Sequence, residues 1–239
     1  MSIKRSLQLL PLLGLLAQGA VADEAAIKKS LQENFPGIPV DSVVKTTHSG
    51  LYEVVVGDRV IYADEGGNFI FDGHIINVKT KLDMTEERLQ KLSAVKFDSL
   101  PLDSAIKIVK GNGKRKLAIF SDADCPYCKK LEQDMLKITD VTIYILLYPI
   151  DTLHPQSAEK SKTIWCAADR VKAWNDWMLK GSLPKNKSTC DNPIGKLQAL
   201  GQKLKVNGTP TLIFADGRRV PGAIPAAQIE KFLSAAEGK

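Results

Sequence analysis

The sequence predicts a chain in two parts, a small α+β region followed by a larger α/β domain with a helical insertion. Three observations lead there. Short β-like runs between tight turns fill residues 40–78, after one helical pattern. A strongly polar helical segment follows over residues 83–96. Beyond it the order becomes strand, strand, helix, strand, several helices, then strand, strand, helix, as in an α/β sheet carrying an insertion.

The chain opens with a basic pair, Lys4 and Arg5, and a short apolar run over 7–16 broken by Pro11 and Gly14. Ala20-Val21-Ala22 follows as a small-residue cleavage site. That order reads as an export signal over residues 1–22, too short and wrongly flanked for a membrane span. Removing 22 of 239 residues leaves 217 and lowers the formal charge from +6 to +4. Lysines and glutamates are interspersed, so the mild basicity is weak support for nucleic acid, and no nucleic-acid partner is expected.

Residues 23–35 place Ile27, Leu31 and Phe35 on one helical face, and Pro36, Gly37 and Pro39 end that helix. Strands are expected over 40–46, 51–56, 60–63, 68–71 and 74–78, with Gly57-Asp58 as a two-residue hairpin turn. About 60 residues make a modest core, and an open meander has edges that seek partners. Dimerisation would cover them; packing against the rest of the same chain is the alternative. In residues 83–96, Asp83 and Glu86 resemble a capping box, and Leu89, Leu92 and Val95 form a narrow apolar stripe. The expected organisation is an N-terminal domain over 23–82, a linker helix over 83–98 and a domain over 99–239, with its insertion at about 156–205.

In the second domain, strands are expected over 105–109 and 116–120, and a helix over 125–137. Residues 141–148, VTIYILLY, form a continuous apolar run suited to a strand buried on both faces. Helices punctuated by Pro184 and Pro193 fill 156–205. Strands over 211–214 and 218–220 flank Asp216-Gly217, and a closing helix covers 226–236.

The chemistry-bearing stretch is FSDADCPYCKKLEQ, residues 120–133. It places Cys125 where a strand gives way to a helix, with Pro126 at a favoured first-turn position and Tyr127 before Cys128. Free N–H groups and the helix dipole stabilise a thiolate at such a site. Cys125 is thus the expected exposed nucleophile, and the more deeply set Cys128 the resolving thiol. Asp122 and Asp124 oppose ionisation of Cys125, and Lys129 and Lys130 partly offset them. Asp122 reads as a helix-entry residue or as a proton relay for Cys128. A metal is not expected, because Cys166 and Cys190 form no second close pair and His48, His74 and His154 are scattered. Four cysteines in an exported chain fit two pairs, with three connectivities open. The tryptophans Trp165, Trp174 and Trp177 read as core of the insertion. Ahead of the strand at 211–214 stands Gly208-Thr209-Pro210. A proline there marks a cis peptide or an ordinary turn, and Thr209 with Pro210 is a candidate surface for an extended substrate chain.

Taken together, Phe120, Asp122, Cys125, Tyr127 and Cys128, then Ile164-Trp165-Cys166-Ala167, Cys190-Asp191, Gly208-Thr209-Pro210 and Val220-Pro221-Gly222 resemble the DsbC group of periplasmic disulfide isomerases over essentially the whole mature chain. The resemblance implies a cystatin-like dimerisation domain, a linker helix and a thioredoxin-fold catalytic domain. It implies a periplasmic homodimer whose clients are misoxidised secreted proteins and whose reductant is a DsbD-like membrane protein. No cofactor is implied. Cys125 and Cys128 match the redox pair, Pro126, Tyr127, Thr209 and Pro210 the substrate-facing residues, and Cys166 and Cys190 a structural disulfide. Pro126 departs from the glycine of the best-known isomerases and matches the related DsbG proteins. That departure leaves open a DsbG-like reductase of oxidised single cysteines, and a holdase chaperone is a third reading.

Overall fold

The structure, a computed structural model, describes residues 18–48 and 50–237. Most of the expected export signal therefore lies outside the described residues, while Ala20-Val21-Ala22 falls in the first turns of helix α1 (Gln18–Asn34). The chain divides into two compact units between Leu92 and Ser93.

In the first unit α1 covers a four-stranded antiparallel sheet in chain order, β1 (Val40–Lys45), β2 (Tyr52–Val56), β3 (Arg59–Ala63) and β4 (Ile70–Phe71). Ile27 and Leu31, four apart on α1, bury against Val40, Val43, Tyr52, Val54 and Ala63. Gly57 takes φ 63° in the β2–β3 hairpin, a conformation that suits glycine. On the other face Val55, Val60 and Tyr62 meet Leu89 of α2 (Met84–Ser93). Tyr62 Oη and Thr85 Oγ1 lie 2.5 Å apart beneath that helix. Asp83 Oδ1 accepts from the Glu86 N–H at 2.9 Å and caps its start.

Two expectations are corrected here. Residues 74–78 form no strand, and Ile76 makes only an isolated bridge to Asp83. The Asn77 side-chain oxygen accepts from the N–H groups of Lys79 and Thr80 at 3.0 and 3.1 Å, which turns the chain back on itself. The helix expected over 83–96 stops at Ser93. Val95 and Phe97 instead bury in the core of the second unit, which therefore begins before residue 98.

The second unit holds a five-stranded sheet in the order β5 (Ile106–Lys110), β7 (Val141–Leu147), β6 (Arg115–Ser121), β8 (Thr211–Phe214), β9 (Arg219–Pro221). Only the central β6–β7 pairing is parallel. Its crossover is α3 (Pro126–Met135). Helices α4 (Ser157–Trp165), α5 (Arg170–Lys180) and α6 (Ile194–Lys203) come from the insertion, and α7 (Ala226–Glu237) closes the chain. The apolar run of β7 and the segment Leu117–Phe120 of β6 are buried because helices cover both faces of the sheet centre. The β6–β8 register pairs Phe120 with Thr211, so the loops at the end of β6 and the start of β8 lie side by side. That adjacency builds the site.

Candidate active site

Cys125 is the N-cap residue of α3, with φ −69° and ψ 123°. Pro126 fits the first turn because it has no N–H to leave unpaired. The facing loop carries a cis peptide between Thr209 and Pro210. The Cys125 sulfur lies 3.3 Å from the Thr209 carbonyl oxygen, to which it donates when protonated. That loop is held from beneath. The Tyr148 hydroxyl donates to the Val206 carbonyl at 3.1 Å, and the Tyr148 ring packs edge-on against Phe120. Gly201 permits this, since a Cβ there would stand 2.2 Å from the Tyr148 ring. The Thr211 hydroxyl donates to the Gly208 carbonyl at 2.8 Å.

The two cysteines differ sharply. The Cys125 thiol is pulled from 9.0 down to about 5, chiefly by a hydrogen bond from the Cys128 thiol, and further by the Thr209 side chain and the N–H groups of Cys128 and Tyr127. Burial pushes the Cys128 thiol well up, and the neighbouring Cys125 adds to the rise. Cys128 is fully enclosed, 3.5 Å from the Asp122 N–H. The expectation of an exposed Cys125 is corrected: only 4% of it is accessible, because the Thr209 carbonyl lies over the sulfur. Pro126 and Tyr127 stand exposed at the mouth of the site.

Asp122 is wholly buried and is a structural hub. Its carboxylate accepts from the N–H groups of Asp124 and Ile150, both at 2.8 Å, and from the Ser157 hydroxyl, and lies 3.0 Å from His154 Nδ1. It therefore fixes the turn into Cys125 and anchors the start of α4. His154, which sequence reasoning left without a role, belongs to this hub. Asp124 forms an ion pair with Lys160 of α4. Trp174 is core, but Trp177 donates to the Ala123 carbonyl at 2.7 Å and so touches the active-site turn. Glu132, one turn beyond Cys128 on α3, is buried beside Trp174. Neither Lys160 nor Glu132 carries a spacing signal in the sequence. Cys166 and Cys190 form a disulfide with Cα atoms 5.7 Å apart, which ties the end of α4 to the segment before α6. Among the described residues no cluster of potential metal ligands occurs.

Comparison with known proteins now bears on this arrangement. The thioredoxin-like domain family matches residues 102–237, and the disulfide bond isomerase protein N-terminal domain family matches residues 18–86. The probable thiol:disulfide interchange protein DsbC of Bordetella parapertussis is 42% identical over 217 residues, spanning 91% of this chain and 76% of the relative. The chain belongs to the DsbC family of thiol:disulfide interchange proteins. The DsbC proteins of Dickeya dadantii and Escherichia coli are 33% and 29% identical, each over at least 97% of this chain and 96% of its own length. A crystal structure of a disulfide interchange protein from Neisseria gonorrhoeae is 49% identical, with a TM-score of 0.56. It covers 58% of this chain and 99% of its own. This DsbC-family chain is thus an enzyme of thiol–disulfide exchange, joining a DsbC-type N-terminal domain to a thioredoxin-like one.

Proposed function

We propose that this protein is a periplasmic disulfide isomerase that reshuffles wrong disulfides in secreted proteins. The observation that carries the reading is the asymmetry of the pair, with Cys125 pulled down to about 5 and Cys128 pushed up. At neutral pH Cys125 is ionised. Its thiolate attacks one sulfur of a client disulfide, forms a mixed disulfide and releases the other client sulfur as a thiolate. That thiolate, or another in the client, attacks a different client sulfur until a client thiolate displaces Cys125. No net electrons are gained or lost. The escape route is attack by Cys128, which leaves a Cys125–Cys128 disulfide and a reduced client, and then requires an external reductant such as a DsbD-like membrane protein.

Burial is the leading cause of the rise at Cys128, and on this reading Cys128 stays enclosed while Cys125 is bound to a client. A protonated thiol attacks slowly. The mixed disulfide therefore lasts long enough for the client to rearrange, which favours isomerisation over simple reduction. Thr209 offers its backbone beside Cys125, Pro126 and Tyr127 form the exposed lip, and an extended client segment fits between them.

Homodimerisation belongs to the same proposal. In the first unit Phe69, Phe71, Ile76, Val78 and Leu82 are exposed beside the short edge strand β4. An apolar edge of this kind supports association through that unit.

The test is recovery of scrambled ribonuclease by catalytic amounts of reduced protein in a glutathione buffer. We expect recovery with the wild type, loss of at least about 100-fold with Cys125→Ser, and accumulation of client mixed disulfides with Cys128→Ser. Undiminished recovery by Cys125→Ser would exclude the assignment of the nucleophile. No recovery by wild-type protein whose pair still cycles would favour a DsbG-like reductase.

A further inference from the structure

Asp124 directly precedes Cys125, and a carboxylate beside a nucleophilic thiol opposes its ionisation. The structure gives Asp124 a partner of opposite charge. Lys160 Nζ, from the first turn of α4, lies 2.7 and 2.8 Å from the two Asp124 carboxylate oxygens. The pair is largely withdrawn from solvent, with side-chain exposures of 22% and 17%. It is thus screened less than an exposed ion pair. The same ammonium stands 5.0 Å from the Trp177 ring centre, and Lys129 Nζ stands 4.8 Å from it. The Trp177 indole N–H also donates to the Ala123 carbonyl. One side chain of α5 therefore holds both the lysine and the turn that bears the aspartate.

The titratable and charged groups around this turn, besides the two thiols, are Asp122, Asp124, Lys129, His154 and Lys160. Asp122 is occupied by Ile150, His154, Ser157 and the turn itself. Asp124 is paired with Lys160.

We propose that Lys160, held against Trp177, is a positioning residue for thiol exchange: by pairing with Asp124 it cancels the carboxylate next to Cys125 and keeps that thiol ionised. The proposal rests on Cys125 as the attacking thiol. It makes the insertion, through α4 and α5, part of the device that sets the nucleophile.

The test is titration of the reduced protein by ultraviolet thiolate absorbance, with Cys125→Ser identifying the wave that belongs to Cys125. Lys160→Met is expected to raise the Cys125 midpoint by about one pH unit. Lys160→Gln, which keeps a hydrogen bond to Asp124 without the charge, is expected to raise it similarly. Lys160→Arg should leave it within roughly 0.3 unit of wild type. Combining Lys160→Met with Asp124→Asn should restore the wild-type midpoint, because the carboxylate to be cancelled is gone. An unchanged midpoint in both Lys160→Met and Lys160→Gln overturns the proposal. So does a double variant that stays raised, since Lys160 would then act by its own charge and not through Asp124. The titration does not depend on turnover. A protein that titrates as stated but reshuffles no disulfides would overturn the isomerase reading and leave this one standing.

Discussion

Phe214 and Phe71 both lie on strands of antiparallel pairs, in opposite surroundings. Phe214 of β8 has no accessible surface, and its ring meets Phe232 of α7 edge-on, 5.4 Å between centres. Phe71 of β4 is half exposed at the margin of the first sheet. The same contrast runs through the two units. The second closes its sheet centre under helices on both faces. The first buries one small cluster under α1 and a smaller one against α2, and leaves Phe69, Phe71, Ile76, Val78 and Leu82 exposed. The difference teaches where each unit finds its partners. The catalytic unit buries its sheet centre internally, leaving Val109, Tyr127, Leu136 and Leu153 exposed outside it, and so holds Cys125 and Thr209 in fixed register. The N-terminal unit keeps an apolar margin, which the proposed association would cover.

The largest effect expected from this contrast is on unfolding. Phe214→Ala removes a buried ring from a packed core and should cost about 3–5 kcal/mol. Phe71→Ala should stay within about 0.5 kcal/mol in the same measurement. In urea unfolding, tryptophan fluorescence reads the second unit, which holds Trp165, Trp174 and Trp177, and far-ultraviolet circular dichroism reads both units. A cost below about 1 kcal/mol for Phe214→Ala would show that α7 collapses into the space and that the core is less rigid than its packing implies.

The same contrast explains what could be read from the sequence. VTIYILLY announces a doubly covered strand because an unbroken apolar run has no solvent face to offer. Cys125-Pro126-Tyr127-Cys128 announces a helix start because Pro126 is tolerated there and Cys125 ends the preceding turn. The ion pair of Asp124 with Lys160 was not legible, since the two residues are 36 apart and meet only through the insertion. Sequence neighbours suggested Lys129 and Lys130 as the compensating charges, yet the pairing partner comes from α4. The cover over Cys125 is not legible either, because the carbonyl above it belongs to Thr209, on the loop before β8 that the sheet register brings alongside. The composition of His74 to Val78 predicts a strand, whereas the Asn77 side chain diverts the backbone. For the ion pair and the covered thiol it is long-range juxtaposition that the sequence hides, while at 74–78 a local side-chain turn outweighs β-like composition.

Buried acids sharpen the comparison next. In the first unit Glu53 receives Arg88 Nε at 2.8 Å, a charge for a charge. In the second, Glu132 receives the neutral indole N–H of Trp174 at 2.9 Å. Burial pushes Glu132 from 4.5 up to about 7, against the lowering pull of Trp174 and of the Lys110 ammonium. A raised carboxyl is protonated in the folded state over a range where the unfolded chain is ionised. Its stabilising effect is full below about 4.5, declines as pH rises towards 7, and is gone above it. Glu132→Gln keeps an acceptor for Trp174 and cannot ionise. We expect it to match wild type at pH 4 and to be more stable by up to about 3 kcal/mol at pH 8, in the same fluorescence-monitored unfolding. Equal stability of the two proteins at both pH values would mean that Glu132 is hydrated in the fold, and that the second unit is less closed than the comparison holds.

The smallest effect on fold stability, and the most telling for the N-terminal unit, is expected from Phe71→Asp. Because the ring is half exposed and β4 lies at the sheet margin, a charge there meets solvent in the isolated chain. The cost to the second unit's unfolding curve should be within about 0.5 kcal/mol. In an associated pair the same carboxylate would be buried without a partner, which costs several kcal/mol. Sedimentation equilibrium should therefore show wild type as a dimer and Phe71→Asp shifted towards monomer, with the Cys125 thiolate titration unchanged. A Phe71→Asp protein that remains fully dimeric would place the association elsewhere on the first unit, and would leave the exposed margin around β4 to be explained by the binding of unfolded clients instead.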